Sequence, residues 1–250
     1  MITVFFVALF VGGATVLGAL LGFCFRGACR RSAGVVMSFA AGVMLYSAIC
    51  GLILPALEDG GRFALPAVLA GTFCGALFLG GAERFLPDPE DAPRKPSGQE
   101  KEGRLARAGL LFVLAIALHN LPEGMAAGVG FGTGDEIGAL FVAGGIALQN
   151  LPEGMLVVAP LLAAGYSKKR TFLLAALTGM IEIVGTFLGF FVVKVFLILP
   201  FALSFAGGTM LFIIVDQMLP LASKEDGTQK TAYAFLLGVG AMMIGSGLLF

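Results

Sequence analysis

Long apolar runs, broken by short polar turns, dominate the chain from its first residues to its last. A hydrocarbon core about 30 Å thick is crossed by about 20 apolar residues in a helix. Eight runs meet that length, at residues 1–25, 33–57, 64–86, 105–130, 135–163, 171–194, 197–220 and 231–250. The pattern predicts an all-α integral membrane protein of eight transmembrane helices, with residues 1–250 forming one transmembrane domain. The fourth and fifth runs are separated only by Gly-Thr-Gly-Asp-Glu, and the sixth and seventh by little beyond Pro200. Turns that short make each pair antiparallel neighbours. The one extended hydrophilic stretch, Pro87–Gly103, is rich in proline and mixed charge and has no aromatic residue, which predicts a flexible cytoplasmic loop at 87–103. It has neither His nor Cys, so it is a poor metal-binding segment.

The basic residues give the orientation. Fourteen of the sixteen Lys and Arg follow spans one, three, five and seven, and only Arg62 and Lys194 fall on the other side. By the positive-inside rule both termini are expected on the non-cytoplasmic side of the cell (inner or plasma) membrane. The first run lacks a preceding basic region, which is not the order of a cleaved signal peptide, and is expected to be a retained span. Composition agrees: 58% of the 250 residues are hydrophobic and 13% charged, and mean hydropathy is +0.96. Soluble domains are about 45–50% apolar and about 25% charged. The surplus requires membrane lipid as its partner. A formal net charge of zero gives no argument for nucleic acid. Cys24, Cys29, Cys50 and Cys74 match no metal or disulfide spacing and read as packing residues.

Two repeats stand out. Ile116–Met125 reads IALHNLPEGM and Ile146–Met155 reads IALQNLPEGM, nine of ten residues agreeing. They lie on consecutive antiparallel spans, so their polar faces can meet near mid-membrane. A looser pair, SFAAGVMLY at Ser38–Tyr46 and SFAGGTMLF at Ser204–Phe212, sits in spans two and seven, which run in opposite directions. This predicts an inverted repeat, spans 1–3 against 6–8, in a 3+2+3 arrangement. Such repeats are typical of transporters, with the substrate site at the repeat interface near the midplane.

Ionisable residues inside spans are costly and point to function. Glu123, Glu153, Glu182 and Asp216 are so placed, as is the only histidine, His119. His119 and Glu123 stand four residues apart on one helix face, as do Gln149 and Glu153. Asn120 and Asn150 lie about 100° round. Pro122 and Pro152 each withhold a backbone hydrogen bond from the carbonyl four residues back, at Leu118 and Leu148. In hydrocarbon that carbonyl must be satisfied by something polar, which a cation or a water-filled path would supply. Gly124 and Gly154 allow close helix approach. A mixed His, Glu, Gln and Asn set favours a first-row divalent metal over Ca²⁺ or Mg²⁺. The lack of thiolates suits an ion that must leave again. A lone membrane Glu beside a lone His is commonly a packing hydrogen bond, but two copies argue against that here. Glu182 is a ligand or a hydrogen-bond partner of one of the amides. Asp216, nearer the cytoplasmic end, lies on the ion's route or contacts water or Lys224. Met44, by sequence alone, reads as core packing.

The paired segments His119-Asn120-Leu121-Pro122-Glu123-Gly124 and Gln149-Asn150-Leu151-Pro152-Glu153-Gly154, on the fourth and fifth of eight spans, resemble the signature of the ZIP family (Zrt-, Irt-like proteins) of divalent metal transporters, in particular its bacterial GufA-like branch. The resemblance covers the whole chain in span count, orientation and loop position. It implies a binuclear metal centre, one site using Met44, His119, Glu123, Gln149 and Glu153 and the other Asn120, Glu123, Asn150, Glu153 and Glu182. It further implies an elevator-type carrier, commonly a homodimer, delivering Zn²⁺, or Fe²⁺, Mn²⁺ or Cd²⁺, to the cytosol, with no catalytic cofactor. Many members have His at the position of Gln149, some have Asp at that of Asn150, and many carry a His-rich third loop that is missing here. Asp216-Gln217 stands where a doubly acidic pair is frequent. The competing classes are an intramembrane metalloenzyme and a metal-gated channel or sensor. The first needs an activated water and a general base. The sequence holds no HExxH motif and pairs no Ser or Cys nucleophile with His119.

Overall fold

The structure is a computed structural model that describes residues 1–24, 32–59, 61–84, 119–131, 136–163, 165–192 and 199–249. Every regular element among them is helical. Helix α1 is Ile2–Cys24. Helix α2 runs Ala33–Ala48, passes through a π-helical turn at Ile49–Ile53 and continues over Leu54–Asp59. A 3₁₀ turn, Gly61–Phe63, leads into α3, Ala64–Arg84. Helix α4 covers 119–130. Helices α5 and α6 are Glu136–Ala163 and Lys168–Val192. Helix α7 runs Leu199–Ile213, takes a π-helical turn at Ile214–Met218 and continues over Leu219–Asp226. Helix α8 is Thr228–Leu249. Seven of these helices, all but α4, are long and apolar enough to cross a bilayer. The first half of the expected fourth span, 105–118, lies outside the described residues, as do the 87–103 loop and Cys29.

Four helices overrun their apolar runs. Helices α6 and α8 each start three residues early, at Lys168 and Thr228, α2 runs on to Asp59 rather than residue 57, and α7 ends at Asp226 rather than at residue 220. Hydropathy marks only the stretch that hydrocarbon can solvate, whereas backbone hydrogen bonds carry a helix on into the polar zone. Pro220 does not stop α7 because it follows a wider turn. The N–H of Leu219 bonds to the carbonyl of Ile214, five residues back, as that of Leu54 bonds to Ile49 just before Pro55. A π-helical turn relieves the clash that proline makes with the preceding turn. The helix ends at Gly227, whose φ of 83° only glycine adopts without cost.

The helices fall into two groups. Helices α1, α4, α5 and α6 pack through glycines. A Cβ on Gly124 of α4 would stand 2.9 Å from Glu182 Cα of α6, and one on Gly185 of α6 would meet Leu121 O at 2.5 Å. On the other side of α6, Gly12 of α1 and Gly179 abut backbone to backbone, and Gly154 of α5 lies against Thr15 and Ala19 of α1. Helices α2, α3, α7 and α8 form the second group. Gly42 of α2 faces the Phe235 carbonyl of α8 while Gly238 faces that of Phe39; Gly208 of α7 faces the Thr72 carbonyl of α3 while Gly75 faces that of Phe205. Close backbone approach substitutes for the hydrophobic driving force that lipid removes. The main core spans the groups, joining Met44, Leu52 and Leu203 to Ala126, Ala127 and Ile146.

Polarity is inside out relative to a soluble bundle. Asn120, Glu123, Gln149, Asn150 and Glu182 are buried, whereas Phe6, Phe10, Phe73, Leu77, Leu236 and Leu237 are exposed on the outer faces. Cys24, Cys50 and Cys74, expected to pack internally, are exposed. A free cysteine behaves as a small hydrophobe, so in an integral membrane protein exposure on a helix of this kind carries no solvation conflict.

Candidate metal site

Site geometry starts from the two motif prolines and glycines. Helix α5 stays α-helical through Pro152, which leaves Leu148 O without its intrahelical donor. Gly124 and Gly154, next to Glu123 and Glu153, remove the side chains that would otherwise hold α4 off α6 and α5 off α1. The motif thus brings its carboxylates against two further helices, and from those come the residues that complete the site.

Glu182 of α6 is fully buried with both oxygens bonded. Thr15 Oγ1 of α1 donates to Glu182 Oε2 at 2.6 Å, and Asn150 Nδ2 of α5 donates to Oε1. Asn150 Nδ2 also reaches Val11 O at 3.2 Å. Glu182 is therefore the hydrogen-bond partner of one of the motif amides, which ties α1, α5 and α6 into one polar junction. Glu123 is placed differently. It is 1% exposed, beside Glu153, Glu182 and the Gln149 side chain, which is the amide nearest to bonding it, and neither carboxylate oxygen meets full hydrogen-bond geometry with a described residue. Asn120 Oδ1, Gln149 Oε1 and Asn150 Oδ1 are buried and unpartnered in the same way. Five oxygen acceptors thus crowd one buried region, where an unsatisfied polar group costs about 1–3 kcal/mol and a charge more. A bound cation satisfies such a set. Among the described residues no three His, Cys, Asp or Glu side chains form a group that could hold a metal ion by themselves.

His119, Asn120, Glu123 and Glu153 line a cavity of ≈ 230 Å³ together with Met37 of α2 and Gln217 and Met218 of α7. It extends along the half of the bundle that holds the start of α2 and the end of α7. His119 and Glu123 meet there as their four-residue spacing predicts. Gln149, Asn150 and Glu182 are buried and do not line it. Met44 is fully buried in the apolar core. Asp216 is exposed on the π-helical turn, and it is its neighbours Gln217 and Met218 that line the cavity. Thr15, Val11 O, Met37 and Met218 were not legible as site residues. Thr15 offered one signal, a hydroxyl in an apolar first span; a backbone carbonyl offers none.

The sequence model of the ZIP Zinc transporter family matches residues 86–250, which include both motif copies. The chain is 37% identical to zinc transporter GufA of Myxococcus xanthus over 92% of both chains. It is 33% identical to zinc transporter ZupT of Salmonella paratyphi A, over 94% of this chain and 92% of that one. It is also 32% identical to bovine zinc transporter ZIP11, over 94% and 93%. With paired carboxylate and amide side chains among helices that only a membrane solvates, and with relatives matched along nearly their whole length, this integral membrane protein belongs to the ZIP family of zinc transporters.

Proposed function

We propose that the chain carries zinc across the cell membrane through a site between α4 and α5, where Glu123 and Glu153 are shared by two adjoining metal positions. His119, Gln149 and Met44 complete one position, and Asn120, Asn150 and Glu182 the other. The protein is a transporter and not an enzyme, as its family is. The observation that carries the site is the cluster of buried, unpartnered oxygens around Glu123. Neutral amides beside the carboxylates keep the set weak enough to release its ion, which a carrier requires. Metal must displace protons from Glu123 and Glu153, so binding strengthens as pH rises.

Two finer features belong to the same proposal. Spans 1–3 and 6–8 form an inverted repeat, supported by matched contacts between the two halves: Gly42 on Phe235 with Gly238 on Phe39 joins α2 to α8, and Gly208 on Thr72 with Gly75 on Phe205 joins α7 to α3 in the corresponding way. The π-helical turns before Pro55 and Pro220 recur at corresponding places in α2 and α7. The glycine-packed group α1, α4, α5 and α6 then moves as a body against the second group, in an elevator cycle, with both termini non-cytoplasmic and the cavity open toward the cytosol. A homodimer is part of this reading, tested by the mass of the solubilised protein.

The test is zinc flux into proteoliposomes. Glu123→Ala and His119→Ala are expected to abolish flux or reduce it sharply while the protein still folds. Wild-type flux in both variants would sink the site assignment.

A further inference from the structure

Beyond its polar residues, the cavity carries two thioethers that the site described above does not use. Met37 lies one turn into α2, and Met218 closes the π-helical turn of α7. Both line the cavity alongside His119, Glu123 and Glu153. Met37 precedes Met44 by seven residues, two helical turns, so the two share a face of α2 about 10 Å apart along its axis. Met218 is 6% exposed and belongs to the same core cluster as Met44, against which Met37 also packs. At the π-helical turn it is Met218 and Gln217 rather than the charged Asp216 that line the cavity.

We propose that Met37 and Met218 form a soft, uncharged coordination step on the ion's way out of the carboxylate site, and that they set the preference of the transporter among divalent metals. The proposal rests on the transport reading above. Thioethers favour softer ions, whereas Mn²⁺ prefers carboxylate, carbonyl and water oxygens. A neutral sulfur exchanges its ion readily, because no charge must be separated when it leaves. The unbranched methionine side chain is flexible enough to follow an ion over several ångströms. Among the described residues the lining beyond His119, Glu123 and Glu153 carries no other titratable side chain, so an ion moving past Met37 and Met218 meets sulfur and the Gln217 amide there. Cadmium and zinc gain from that step, and manganese does not.

The test replaces both sulfurs with near-isosteric carbon in the full chain, M37L/M218L. Flux of Cd²⁺, Zn²⁺ and Mn²⁺ is measured one ion at a time in proteoliposomes. The Cd²⁺-to-Mn²⁺ flux ratio is expected to fall about tenfold, equivalent to ~1.4 kcal/mol of lost discrimination. An unchanged ratio in a folded double variant overturns the proposal. If the double variant does not fold, M37L and M218L are measured separately, and an unchanged ratio in both overturns it equally. A wild-type protein that moves none of the three ions overturns the transport reading and this step with it, whereas one that moves them with a ratio indifferent to the substitutions overturns only the methionine assignment.

Discussion

Gly124→Ala is the sharpest test of how the motif builds its site. A Cβ at position 124 would stand 2.9 Å from Glu182 Cα. Carbon atoms settle at about 3.5–4.0 Å, so the helices have to part by at least roughly 0.6–1.1 Å, and the Glu182 carbonyl oxygen lies closer still. Helix α6 cannot yield, because its other face is held against α1 at Gly12 and Gly179 and by the Thr15–Glu182 bond of 2.6 Å. Helix α4 therefore moves, taking His119 and Glu123 away from Glu182. Functional constellations tolerate about 0.5 Å of misplacement, and the shift exceeds that. The strain costs about 1–3 kcal/mol of stability. Zinc affinity is expected to fall about 10–100-fold, the range seen when the supports of metal ligands are lost. Titration calorimetry in detergent and flux in proteoliposomes read the effect, with Gly13→Ala as control, since a Cβ on Gly13 meets nothing within 4 Å. Wild-type zinc affinity in Gly124→Ala would refute the idea that glycine packing sets the distance between the carboxylates.

Four further outcomes follow from the same geometry. Thr15→Val removes one of the donors to buried Glu182 and should cost about 1–3 kcal/mol in thermal unfolding, with Thr15→Ser recovering most of it. Asp226 Oδ2 accepts the Val35 N–H at 3.0 Å and so caps the start of α2; Asp226→Ala should cost about 1 kcal/mol without changing ion selectivity, and an unshifted melting curve would contradict this. Zinc at about 100 times its dissociation constant should raise stability by about 2.7 kcal/mol, and chelation should reverse it; a chelator-insensitive melt would argue against a site in the folded protein. Zinc binding should tighten as pH rises, because ion and protons compete for Glu123 and Glu153, and calorimetry at two pH values shows the opposite order if that linkage is wrong.

The sequence by itself determined the membrane class, because long apolar runs have no other solvent, and most helix bounds, because hydrocarbon thickness fixes their length. It also paired His119 with Glu123 by helical periodicity within one segment, and the two line one cavity; the same spacing put Gln149 with Glu153, of which only Glu153 lines it. Residues that act across segments were beyond its reach. Only the tertiary structure decided that Glu182 bonds Thr15 and Asn150, that the glycines beside Glu123 and Glu153 are what bring α6 and α1 to them, and that three cysteines face outward. It likewise decided that Gln217 and Met218 rather than Asp216 line the cavity. A π-helical turn changes which side of a helix each residue faces, and the energy that selects that turn comes from a proline and its packing rather than from a pattern of polarity.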